Sequence, residues 1–292
     1  MNKLSACLIV KNEKDHIRDV LESLKGVDEI VVCDTGSTDN TVEIAREYTD
    51  KVFTDYIWGD DFADARNHAL SKCTGDWVLS IDGDEVLEDK GVDLIRELIA
   101  LATPEQLHFS VKMTAKGTKH KHNLPRIFRN NGEVRWEGAA HETLYPVQKN
   151  VTDIVIEYGS STAHALDPDR MLRILEKLVQ SEKRTSRDLY YYAREHYYRN
   201  NYKKAIELWE EYIFIATWNP EKADALLYLA RCYFYTNQGD KAREKCLETI
   251  NLNPDFKEAL LFMAELHYEP WKHKWLRLAE VATSEDVLFK RI

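Results

Sequence analysis

The chain has 292 residues, 44% of them hydrophobic and 31% charged, with a formal net charge of −10. This balance excludes a disordered chain and argues against a broad nucleic-acid surface, and the length allows two domains with cores of their own. No run approaches the roughly 20 apolar residues that span a bilayer. Met1-Asn2-Lys3 leads straight into strand-like sequence without a signal-peptide pattern. The cysteines at 7, 33, 73, 232 and 246 form no CxxC pair, so the expectation is a cytoplasmic protein with reduced core thiols.

Leu4 to Val10 predicts a buried strand ending in Lys11-Asn12-Glu13, followed by a helix through Ile17, Val20, Leu21 and Leu24. Glu29 to Cys33 predicts a second strand, ending in Asp34-Thr35-Gly36-Ser37-Thr38-Asp39. Asn40 with Glu43 three residues on reads as a capped helix start. A short strand at Lys51–Phe53 and a helix around Asp64–Ser71 come before the apolar run Trp77 to Ile81, which ends in Asp82-Gly83-Asp84-Glu85. Apolar strands alternating with helices predict an α/β fold, with a mainly parallel sheet and helices on both faces. Ligands bind such sheets beyond the carboxyl ends of the strands. Lys11, Asp34, Asp82 and Asp84 all follow a strand, so the pattern gathers them on one rim.

From about residue 166 the pattern is helical throughout, which sets the expected domains at 1–165 and 166–292. Asn219-Pro220 and Asn253-Pro254 are 34 residues apart, as are Ala230 and Ala264. Asn201-Tyr202-Lys203-Lys204-Ala205 and Gln238-Gly239-Asp240-Lys241-Ala242 fall in the same phase. This half resembles tetratricopeptide repeats, helix pairs with that period. So few units leave apolar faces uncovered, which implies a protein partner or self-association through the helices. Trp271-Lys272-His273-Lys274-Trp275 predicts a capping helix whose tryptophans bury against the last repeat; its alternative is a contact to a membrane surface.

Residues two apart in extended chain face the same way, so Asp82 and Asp84 can offer two carboxylates to one point, with Gly83 leaving room for close approach. Hard oxygen donors suit Mg²⁺ or Mn²⁺ carrying a diphosphate. No Gly-x-Gly-x-x-Gly, Walker loop or His-Glu-x-x-His accompanies them, which excludes the dinucleotide, ATPase and zinc-protease signatures.

Five stretches in order resemble family 2 of the nucleotide-sugar glycosyltransferases, with the GT-A fold. They are Cys7 to Glu13, Asp34 to Thr41, Asp61 to Asn67, Asp82 to Glu85 and Trp136 to Glu142. The resemblance covers most of 1–165, and the helical half fits a subgroup with a tetratricopeptide tail. It implies an inverting, metal-dependent transfer of a sugar from a nucleoside diphosphate, UDP above all, to an acceptor glycan, lipid-linked glycan or peptide.

By that resemblance Val10 and Lys11 wall the base pocket, Asp34 contacts the nucleoside and Arg66 reaches the nucleotide. Asp82 contacts ribose or the metal shell, and Asp84 is the main cation ligand, with His164 as a further one. Glu142 is the candidate base and Glu137 its rival; His141 binds diphosphate or orients Glu142. Arg126 and Arg129 are candidates for phosphate or acceptor contacts. Simpler roles stand beside these: Asp34 capping its own turn, Arg66 pairing with Asp61 or Asp64, and Lys119-His120-Lys121-His122 forming a mobile basic loop. The site is expected on the cytoplasmic side, with peripheral membrane attachment compatible with it. A non-catalytic repeat scaffold with a vestigial transferase domain is the alternative from another class.

Overall fold

The computed structural model describes residues 2–118, 121–159 and 166–283. The chain divides into two compact units, Met1–Arg170 and Met171–Ile292. The first unit is built on an eight-stranded sheet. Its strands are β1 (Leu4–Val10), β2 (Glu29–Asp34), β3 (Val52–Phe53), β4 (Trp77–Ser80), β5 (Glu85–Leu87), β6 (His108–Ala115), β7 (Lys121–Arg129) and β10 (Val151–Tyr158). Their order is β3-β2-β1-β4-β7-β6-β10-β5. β1 pairs in parallel with β2 and β4, as β2 does with β3 and β10 with β6. β7 runs antiparallel between β4 and β6, and β5 antiparallel to β10. A separate hairpin joins β8 (Arg135–Glu137) to β9 (Thr143–Tyr145).

Side-chain alternation along β1 feeds two cores. Leu4, Ala6, Leu8 and Val10 pack with α1 (Ile17–Ser23), α2 (Thr41–Ala45) and α4 (Gly91–Leu101) on one face. Cys7 joins Val31, Cys33, α3 (Phe62–Leu70) and the β8–β9 hairpin on the other. All five cysteines are buried and unbridged.

Two local expectations of this unit are corrected. Asn40 makes no side-chain cap; Asp39 does that work, accepting from the Thr41 amide at 3.0 Å. Lys121 and His122 do not lie in a loop but open β7, paired with Thr114 and Met113. Lys119 and His120 lie outside the described residues.

At the strand-start end of the sheet, Glu29 is a buried tie-point. It accepts from the Thr74 amide at 2.7 Å and the Thr74 hydroxyl at 2.9 Å, and also from Ser5 and Lys51. Burial opposes its charge, but these donors outweigh it and bring the carboxyl from 4.5 down to about 2. A depressed folded-state value gives stability that is full above 4.5 and drains as pH falls toward about 2. Urea unfolding across that window is expected to show a smaller acid-induced loss in Glu29→Gln than in the natural chain.

The second unit is a run of helices: α5 (Arg170–Gln180), α6 (Ser186–Tyr198), α7 (Tyr202–Ile215), α8 (Asn219–Tyr235), α9 (Gly239–Leu252), α10 (Lys257–Glu265) and α11 (Trp271–Val281). From α6 onward each helix packs on the next. Thr185 starts α6 with a reciprocal capping box through Asp188, and Pro220 occupies the first turn of α8. In α11, Trp275 packs on the core formed by α8, α9 and α10. Trp271, expected to bury with it, is 56% exposed with Lys274 over its ring. The four-residue spacing puts both on neighbouring turns, but only the later one meets the preceding helices.

Candidate active site

Two turns at the carboxyl ends of β1 and β2 are laced together. Asn12 takes a left-handed backbone (φ 55) and its side-chain oxygen accepts from the Thr38 amide at 2.7 Å. In return Ser37 Oγ accepts from the Asn12 amide and Thr41 Oγ1 from the Glu13 amide. Thr35 closes the seam, its amide bonding Val10 O at 2.9 Å. Asp34 is buried and turned into its own turn, where one carboxylate oxygen accepts from the amides of Gly36 and Ser37 at 3.0 Å. Gly36, at φ 105, supplies the backbone conformation this needs.

Beyond β4, the Ile81 amide still bonds Cys7 O, carrying the parallel register past Ser80 to the acidic turn. A Cβ on Gly83 would meet Glu13 Cγ at 2.7 Å and Val10 Cγ1 at 3.3 Å, so the turn seats directly on the first rim loop. Asp82 is held by two arginines. Arg66 Nη1 lies 2.7 Å from Oδ1 and Nη2 3.0 Å from Oδ2, and Arg126 Nη2 lies 3.2 Å from Oδ2. Burial works against its charge, but Arg66 and Arg126 hold the carboxyl well below the usual carboxylate range. Asp84 differs: burial and the adjacent Asp82 push it upward, and among the described residues it forms no ion pair.

Arg66 comes from α3, which Asp61 caps by accepting from the Asp64 amide at 2.9 Å. It does not pair with either acid of its own helix; Asp64 accepts instead from Tyr56. Its guanidinium is buried, 5.0 Å from the Trp136 ring, and its Nε donates to Glu142 Oε1 at 2.6 Å. Helix and hairpin are locked by reciprocal bonds: Asn67 Nδ2 donates to Trp136 O, and the Trp136 amide donates to Asn67 Oδ1, both at 2.9 Å. The Phe62 amide adds a bond to Ala139 O. His141 has a positive φ of 51, which turns the chain into Glu142.

A cleft of about 100 Å³ opens here, lined among others by Val10, Lys11, Thr35, Trp58, Arg66 and Asp84. A larger cavity of about 470 Å³, lined by Glu29, Lys51 and Thr74, sits at the strand-start end with none of these groups. The structure thus brings together Val10, Lys11, Arg66, Asp82 and Asp84, with Arg126 and Glu142 joined through ion pairs. It separates Arg129 and Glu137 from them. Arg129 donates to the carbonyls of Gln106 and Thr103 and covers the Trp77 ring at 4.5 Å, at the opposite end of β4. Glu137 is exposed and paired with Arg135 at 2.6 Å, while Trp136 between them faces inward. His164 lies outside the described residues.

Two features escaped sequence reading. Glu85 is buried, accepting from the Asp82 amide at 2.9 Å and from Arg126 Nη2 at 2.5 Å, and burial pushes its carboxyl up to about 7. Trp58, fixed by an indole bond to Asp60 at 3.0 Å and an edge contact with Phe62, forms an aromatic wall. Both carried a signal: an acid closing the acidic turn, and an aromatic cluster just before a helix.

No group of three His, Cys, Asp or Glu side chains capable of holding a metal occurs among the described residues. The donor set still fits a diphosphate-borne cation, because such an ion takes one or two carboxylates and fills its shell with phosphate oxygens and water. Asp84 offers that carboxylate, whereas both oxygens of Asp82 are committed to guanidinia.

An acidic turn at the carboxyl rim of this sheet, followed by a helical unit, defines an α/β domain of the GT-A type with an all-α extension. Residues 5–147 match the family described as Glycosyl transferase family 2. A TPR repeat-containing protein of Synechococcus elongatus is 40% identical over 148 residues, 49% of this chain and 36% of its own. The lipopolysaccharide core biosynthesis glycosyltransferase LpsC of Rhizobium meliloti is 31% identical over 156 residues, 49% of this chain and 57% of its own. The chain therefore spans between 36% and 57% of the length of these two relatives. Among solved structures, S. aureus TarS 1-349 in complex with UDP-GlcNAc aligns over 85% of this chain and 89% of its own, at 15% identity and a TM-score of 0.45. No helix among the described residues is long and apolar enough to cross a membrane.

Proposed function

We propose that the chain is an inverting, metal-dependent glycosyltransferase that moves a sugar from a nucleoside diphosphate, UDP by preference, to an acceptor hydroxyl. The observation that carries this reading is Arg66 joining Asp82 of the acidic turn to Glu142 of a distant hairpin, beside Asp84. Beside the guanidinia that hold Asp82, Asp84 adds to the cleft a carboxylate that forms no ion pair among the described residues. A diphosphate meets repulsion there unless a cation comes with it.

In this reading Val10, Lys11 and Thr35 receive the nucleoside, and Asp34 braces the turn that presents Thr35. Asp84 holds Mn²⁺ or Mg²⁺, which would stabilise charge on the departing diphosphate. Glu142 removes the acceptor proton; its bond to Arg66 keeps it aimed. His141, next to it in the chain, would bind the diphosphate or orient Glu142. Arg126 acts on the donor indirectly, by holding Asp82. A cell-surface glycan is the acceptor suggested by the lipopolysaccharide relative. The 34-residue spacing and the successive helix pairs support tetratricopeptide-like repeats, which would recruit a protein partner.

Thermal unfolding with UDP, with and without Mn²⁺, tests the reading, because a ligand of the folded state alone must raise the melting temperature. A cation-dependent rise is expected, and no rise at saturation rejects the enzyme in favour of a scaffold. A panel of UDP-sugars assayed for hydrolysis then identifies the donor. Glu142→Gln is expected to keep UDP binding and lose transfer by on the order of 10²–10⁴. Full activity in that variant would move the base elsewhere.

A further inference from the structure

Asp82 is the junction of the cleft floor, and its two arginines are supported unequally. Arg66 is framed by α3, Glu142 and Ser80. Arg126 sits where the β6–β7 register shifts: Phe109 pairs with Ile127 and Ser110 with Pro125, so Arg126 is the extra residue of a bulge. Bulges re-aim a side chain but leave it without regular neighbours. Its guanidinium is buried, its Nε has no hydrogen-bond partner among the described residues, and Nη2 is shared between Asp82 and Glu85. Glu85 meanwhile accepts from the Asp82 amide. One carboxylate therefore grips both the backbone of Asp82 and the arginine that grips its side chain, closing a ring.

We infer that Glu85 is a positioning residue: through Arg126 it fixes the direction of the Asp82 carboxylate, and thereby Arg66 and Glu142 at the far end of the ion-pair chain. This role rests on the transferase reading of the same site. Glu85 touches neither the cleft nor a reacting atom. Its register partner in the sheet is Tyr158, the last residue of β10.

The test uses the full chain with Glu85→Gln, Arg126→Gln and the pair together. Glu85→Gln is expected to lower kcat for UDP-sugar turnover roughly tenfold to a hundredfold, leaving KM for the UDP-sugar little changed. Because the acid acts through the arginine, the double variant should be no slower than Arg126→Gln alone. Natural turnover in Glu85→Gln, or losses that simply add, would overturn the inference. A crystal structure of Glu85→Gln gives a readout without activity. An Asp82 carboxylate displaced from Arg66 supports the role, and one unmoved contradicts it. Absence of UDP binding and turnover in the natural chain would instead remove the transferase reading, and the crystal geometry would still decide whether Glu85 orients Asp82.

Discussion

Arg66→Ala is expected to lower the melting temperature by about 10 °C and to abolish measurable transfer. The side chain is 6% exposed, lies against both carboxylate oxygens of Asp82 with a hydrogen bond to Oδ2, and bonds Glu142 once and Ser80 once. Removing one member of a buried ion pair costs roughly 3–5 kcal/mol, because the partners stay buried without compensation. In a domain of this size each kcal/mol shifts the midpoint by roughly 2–4 °C. The loss divides unequally: Asp82 keeps Arg126, whereas Glu142 loses the bond that aims it. Circular dichroism melts of the alanine and lysine variants, beside UDP binding, test this. Lysine restores charge but cannot reach both carboxylates, since only the planar fork spans them. It should regain part of the stability and little of the turnover. An unchanged melting temperature in Arg66→Ala would show that the pair is solvated and carries little weight.

Asp84→Asn should have the opposite profile, with stability kept and activity lost. Among the described residues Asp84 makes no ion pair, and Asp82 beside it raises the cost of its charge. Neutralising it removes that repulsion, so the melting temperature should hold or rise slightly. The cation-dependent part of UDP stabilisation should vanish, and turnover should fall on the order of 10²–10³ or more. Titration calorimetry of UDP with and without Mn²⁺ checks it. Equal Mn²⁺ enhancement in the natural and Asn chains would rule out Asp84 as the ligand.

The parallel part of the fold was legible because β1, β2 and β4 are buried on both faces and therefore nearly continuous in apolar residues. The rim was legible for the same reason, since polar residues ending such runs must lie at their carboxyl ends. What sequence could not show was the second half of the sheet. β7 begins with exposed Lys121, His122 and Asn123, a pattern that looks like loop until β6 pairs with it. Arg126 and Arg129 were both candidates for phosphate or acceptor contacts, but three residues of strand set side chains on opposite faces about 10 Å apart. The site was legible in its acids and not in its connections: Arg66 stood five residues from Asp61 and two from Asp64, yet its partners lie 16 and 76 residues away. Glu142 was the candidate base and Glu137 its rival. The hairpin distinguishes them, because Trp136 must face the core and sends its neighbour Glu137 to solvent.

The paired amide bonds between Asn67 and the Trp136 backbone have a mechanical consequence. The side chain of Asn67 stands in for a missing neighbouring strand, welding the hairpin to α3. The carrier of Arg66 and the carrier of Glu142 then travel as one piece, so breathing of the large sheet leaves the spacing between these two groups intact.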